Sequence, residues 1–146
     1  MFRKLVIVLG LVSIPVISAA ASKSYQMILS GRDAGTQTVE YQADGQAKLF
    51  YEFNDRGRGD KITSQLQLNE LGLPISMDNE GNDYMKAPVS EHFRMEGQSA
   101  RWQSGAGEGQ IELNAPAFYI PLDGTPEMSG LLARALLLAP NQTLNI

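Results

Sequence analysis

Through the first half of the chain, polar and apolar residues alternate with a period of two, the pattern of strands that bury one face. Tyr25, Met27 and Leu29 share one face of 24–30, and Val39 and Tyr41 one face of 36–43. Leu49, Tyr51 and Phe53 line up in 46–53. Ile62, Leu66 and Leu68 do so in 61–69, opposite Lys61, Thr63, Gln65 and Gln67. Asp44-Gly45 predicts a tight type I′ hairpin turn, in which both central residues take positive φ. A longer glycine-bounded turn is expected over 31–35. Further strands are expected at 73–78, 91–95, 99–103 and 110–113, with Gly97-Gln98 turning the second of these into the third. Short strands in sequence, with no helical pattern between them, predict a mainly β fold: an antiparallel meander forming a strongly curved sheet or half-open barrel.

The periodicity changes once, near the C-terminus. Thr125 reads as a helix N-cap, Pro126 suits the first helical position, and Glu127 suits the positive helix end. Met128, Leu131, Leu132, Ala135, Leu136 and Ala139 form a helical stripe, and Pro140 ends it. Leu137 and Leu138 fall outside the stripe, and Arg134 is the only charge between Leu131 and Ala139. A helix apolar nearly all round is normally covered on more than one side. The sheet covers one side, so Leu137 and Leu138 are expected at an interface with something else.

The first residues have a different pattern. Arg3 and Lys4 precede an apolar run over 5–17, and Ser18, Ala19, Ala20 and Ala21 follow it. This is the charge, length and cleavage chemistry of a secretory signal peptide. A spanning helix needs about 20 apolar residues, and Gly10 and Pro15 weaken this one. The expected organisation is a signal peptide over 1–21, a β domain over 22–124, and a helix with its tail over 125–146 packed on it. The expected location is the periplasm or the exterior, with no membrane span after cleavage.

Composition then removes chemistry. The chain of 146 residues has no cysteine and one histidine, His92. Disulfides, zinc–cysteine sites, thiol nucleophiles and sites with two histidines are excluded. The formal net charge is −4, and it becomes more negative without the leader, which argues against nucleic-acid binding. No serine sits in a G-x-S-x-G elbow, and no cofactor is expected. His92 alternates with Arg94 and Glu96, opposite Phe93 and Met95, which puts it on the wetter face. The run 78–83 resembles a calcium loop but lacks its spacing and flanking helices, and reads as a turn. In 54–60, Arg56 and Arg58 with Gly57 and Gly59 suit an anion cradle or an interdomain contact. The reading favoured for that segment is a solvated hairpin loop whose arginines pair with Asp55 and Asp60.

Several segments together carry a resemblance. They are Ser30-Gly31 with Ala34-Gly35-Thr36, Tyr51-Glu52-Phe53-Asn54-Asp55-Arg56-Gly57-Arg58-Gly59, Leu71-Gly72-Leu73-Pro74, Gly81-Asn82-Asp83-Tyr84, Ala100-Arg101-Trp102, Ala117-Phe118-Tyr119 and Leu132-Ala133-Arg134-Ala135-Leu136-Leu137. In order and spacing the chain resembles the N-terminal extension of exported bacterial amidohydrolases of the metal-dependent hydrolase superfamily. The resemblance implies a β-rich leader domain ahead of a second β-sandwich and a metal-holding (β/α)₈ barrel. This sequence has no His-x-His pair, so no metal ligand or catalytic residue is carried over. What is implied is a noncatalytic accessory domain, as a stand-alone copy or a truncated product. Its partner would be the missing C-terminal catalytic domain, or another protein docking on the helix. The alternative is a self-contained module that holds a small apolar ligand in the curved sheet, against Tyr25, Met27, Tyr41, Tyr51 and Trp102.

Overall fold

The computed structural model describes residues 21–146. The expected signal peptide, apart from its last residue Ala21, lies outside the described residues. Eight strands follow in chain order: β1 (Ala21–Leu29), β2 (Arg32–Tyr41), β3 (Gln46–Phe53), β4 (Lys61–Leu68), β5 (Pro74–Asn82), β6 (Pro88–Glu96), β7 (Ser99–Ser104) and β8 (Gly107–Glu112). They form one antiparallel sheet in the order β1 to β8, and the sheet does not close on itself. A single α-helix, α1 (Glu127–Leu138), follows the last strand. This is the mainly β meander with one C-terminal helix that the alternation predicts.

The register places alternate residues on one inner face, where Val39 opposes Leu49, Leu66 opposes Met77 and Phe93 opposes Trp102. Helix α1 packs on that face through Met128, Leu131 and Ala135, and Phe118 joins them from the crossing segment that leads to it. Val39, Leu49, Leu66, Met77, Phe93, Phe118, Met128 and Leu131 make one buried cluster. Each such side chain stabilises the fold by about 1.5–3 kcal/mol through area removed from water. The helix therefore fills the trough of the sheet.

Four local expectations are corrected. Strands β1 and β2 meet across Ser30-Gly31 alone, with Leu29 paired to Arg32, so the longer turn expected over 31–35 is absent. The β2–β3 connection is not a two-residue type I′ turn. Gln42 N–H donates to the Gln46 carbonyl at 2.8 Å and Gly45 N–H to the Gln42 carbonyl at 3.2 Å. Only Gly45 has positive φ there, at 84°. This is the three-residue loop, a type I turn followed by a left-handed glycine. The run 78–83 is not a turn either, because β5 continues to Asn82, paired to Lys61 on one side and Pro88 on the other. Gly81 permits this: a Cβ there would run into the Lys61 carbonyl, so glycine marks a close backbone approach rather than a strand end. Thr125 does not cap the helix through its hydroxyl. The Gln37 side-chain carbonyl, from β2, accepts the Glu127 N–H at 3.0 Å instead.

Candidate functional site

The inner face carries a polar row amid its apolar cluster. Ser64 on β4 opposes Asn79 on β5, which opposes Glu91 on β6, and all three are buried. Glu91 is 2% exposed. Its carboxylate accepts from Tyr119 Oη at 2.7 Å, from Leu122 N–H at 3.1 Å and from Asp123 N–H at 3.4 Å. Asn79 Nδ2 donates to the Asp123 carbonyl at 2.8 Å. The crossing segment is thus strapped to β5 and β6 by buried polar side chains. Burial, then the Glu91 carboxylate, pushes the Tyr119 phenol well above its ordinary range. Burial also raises the Asp123 carboxyl, with Asp83, Glu91 and Asp60 adding repulsion. The arrangement holds its protons and faces packed chain, which suits a fastening better than proton transfer.

A second fastening joins β2 to the helix. Tyr41 Oη donates to Glu127 Oε1 at 2.8 Å, and Arg134 Nη2 donates to the same oxygen at 2.6 Å and to Tyr41 Oη at 2.8 Å. Burial first, and then the Glu127 bond, pushes the Tyr41 phenol up.

The residues singled out for a ligand pocket lie on one face but not in one place. Tyr25, Met27, Tyr41 and Tyr51 stand on the inner side of β1, β2 and β3, while Trp102 stands on β7 with three strands between. The helix occupies the trough between them, and Tyr41 is engaged by it. Trp102 instead lines a groove of about 530 Å³ at the β8 end of the inner face, with Phe93, Met95, Ile111, Ile120 and Ile146. Phe93 and Tyr119 stack there, with ring centroids 4.2 Å apart.

In the β3–β4 loop the two arginines have separate engagements. Arg58 lies 5.5 Å over the Tyr84 ring, and Arg56 is far out in solvent with Asp55 at 3.9 Å. The expected pairing with Asp55 holds for Arg56, and Asp60 forms no ion pair with either. The loop is fixed from below, where Lys86 Nζ and Asn82 Nδ2 both donate to the Gly59 carbonyl.

On the outer face the Asp78 carboxylate accepts from His92 Nδ1 at 2.7 Å, and its two oxygens accept from Arg94 Nη2 at 2.7 and 2.8 Å. Partial burial alone would raise the Asp78 carboxyl. The bonds from His92 and Arg94 outweigh it and hold it below the usual range. Among the described residues no three of His, Asp and Glu are grouped to hold a metal ion. On α1, Leu137 is 69% exposed and Leu138 66%, so both lie uncovered. Among the described residues no helix is long and apolar enough to cross a membrane.

The alternation points to Glu91, since it shares a face with Phe93, but nothing in the sequence names Tyr119 and 122–123 as its partners. The features together describe an open antiparallel sheet folded about one helix, with an uncovered apolar helix flank and an apolar groove at one sheet edge. Comparison with protein-family models, with curated proteins and with solved structures finds no match.

Proposed function

We propose that the chain is an exported, noncatalytic accessory domain that docks a further protein domain on its helix, as its resemblance to amidohydrolase leader domains implies. The observation that carries the reading is the outer flank of α1. Leu136, Leu137 and Leu138 are exposed in succession, and the only nearby cation, Arg134, is turned back to Glu127 and Tyr41. Leu132 extends the apolar surface toward Ile120 across a shallow groove. Apolar side chains exposed together around the last turn of a helix mark interaction sites more often than scattered exposed leucines do. The test places a photo-crosslinking side chain at Leu137 in the exported chain. A crosslink to a metal-dependent hydrolase domain, on the same or a separate polypeptide, is the expected result. Crosslinks to lipid alone, or none, would sink the reading.

A second reading, a binding module, is favoured by the groove at Trp102. Its volume of about 530 Å³ is in the range that holds small ligands, about 300–1,000 Å³. It predicts a rise in melting temperature with an apolar ligand such as laurate, and a loss of that rise in Trp102→Ala.

A further inference from the structure

We propose that the free edge of β8, with the groove beside it, receives an extended polypeptide strand in which apolar side chains alternate with basic ones. The inference shares its groove with the binding-module reading and otherwise stands apart from it.

The backbone sets the geometry. Strands β7 and β8 meet across Gly105 and Ala106, with Ser104 paired to Gly107. In a two-residue hairpin the flanking pair is hydrogen bonded, and bonded and non-bonded pairs then alternate. Gly107, Gly109 and Ile111 therefore turn their N–H and C=O groups to β7. Glu108, Gln110 and Glu112 turn theirs outward, along an edge that no described strand pairs with. A row of such groups is a template for strand addition.

The side chains on the two faces of that edge differ. Gly109 and Ile111 share the inner face with Trp102 and Ala100. A Cβ at Gly109 would run into the Trp102 ring, so the indole lies directly against the bare backbone of the edge. Inward side chains of an added strand would cover Ile111 and the groove. On the outer face stand Glu108, Gln110 and Glu112, all exposed. Neither glutamate forms an ion pair among the described residues. Outward positions of the added strand would lie opposite these carboxylates, where basic side chains are favoured and acidic ones repelled.

The same reasoning disfavours a second copy of this chain. Pairing β8 with itself sets glutamates against glutamates. The other free edge, β1, carries its one cation, Lys23, on the inner face beside Tyr25 and Met27, because Lys23 opposes Val39. Its outward residues Ser22, Ser24 and Gln26 offer no charge to the glutamates.

Trp102 is the only tryptophan in the chain, so its fluorescence reports on the groove. The experiment titrates the full chain with an acetylated Lys-Val-Lys-Val-Lys-Val-Lys peptide amide, and with the same peptide carrying Glu for Lys. A saturable Trp102 shift with the basic peptide is expected, with binding of the acidic one weaker by about tenfold. Glu108→Lys with Glu112→Lys should reverse that preference. Gln110→Pro removes an outward backbone donor and no backbone bond to β7, and should abolish binding of either peptide; Gln110→Ala, which loses only the side-chain bonds to Arg101 and Ser99, should bind as before. Should the proline variant fail to fold, the charge reversal alone decides. Equal binding of both peptides, or no shift with either, overturns the proposal. A shift with laurate but with neither peptide also overturns it, and leaves the small-ligand reading standing.

Discussion

Glu91 shows how far one side chain reaches. Its carboxylate satisfies a phenol and two backbone N–H groups of a segment about 30 residues later in sequence. Removing it leaves those donors buried and unpaired, and each such group costs about 1–3 kcal/mol. Glu91→Ala is expected to destabilise the chain by about 3 kcal/mol in urea unfolding, and Tyr119→Phe by about 1 kcal/mol. The two should be non-additive in a double-mutant cycle. Two other carboxyls should act with opposite sign in acid. Asp78 is held low, so its contribution is present above its ordinary value of 3.8 and is lost as pH falls through its folded value. Asp123 is held high, so its charge opposes folding at neutral pH, and that cost is relieved as pH falls through its raised value. Asp78→Asn should therefore flatten the acid loss of stability, measured by melting temperature from pH 7 to pH 2. Asp123→Asn should raise the melting temperature at neutral pH. Equal profiles for both variants would contradict the assignments.

Among the elements, strand alternation was legible because each strand has one wet and one dry face, and period two is its direct trace. The helix was legible for the same reason at its own period. What the pattern missed were positions where glycine acts in a strand. Gly81 reads as a turn residue, yet it serves a strand that comes too close to Lys61 for any side chain. Gly35, against Glu52, is a second case. Gly81→Ala should cost more stability than Gly72→Ala, although both glycines have positive φ, because nothing crowds Gly72. The cap was illegible because its acceptor comes from β2, far away in sequence. The residues inferred to line a ligand pocket, Tyr25, Met27, Tyr41, Tyr51 and Trp102, share a face but are not brought together. Face is a matter of parity, whereas distance across a sheet depends on strand order and on what fills the trough. On α1, Leu131→Ala should cost about 2–5 kcal/mol. Leu137→Ala, being exposed, should shift stability by less than about 0.5 kcal/mol. A large loss at Leu137 in the isolated chain would mean that this flank is already covered.

In the whole molecule, the meander gives each strand only its sequence neighbours as partners. Such a sheet resembles a one-dimensional array, in which ends can fray without disturbing the middle. The helix and the crossing segment break that independence. Tyr41 and Gln37 tie β2 to α1, Glu91 ties β6 to 119–123, and Phe118, Met128 and Leu131 pack against strands between them. Inner-face packing, which reaches Ala100 on β7, therefore makes β2 to β7 one cooperative unit, while β1 and β8 hang from its two ends with one partner each. Native-state hydrogen exchange should show this division: amides of β3, β4 and β5 exchanging only through global unfolding, and those of β1 and β8 through smaller local openings. In Leu131→Ala the protection of β3, β4 and β5 should fall together by one common amount, because they share one core. Protection in β8 should change less, since its opening does not break that core. Protection lost strand by strand from the end nearest the helix would instead mean that the sheet is held by its ladders and that the helix is only an attachment to it.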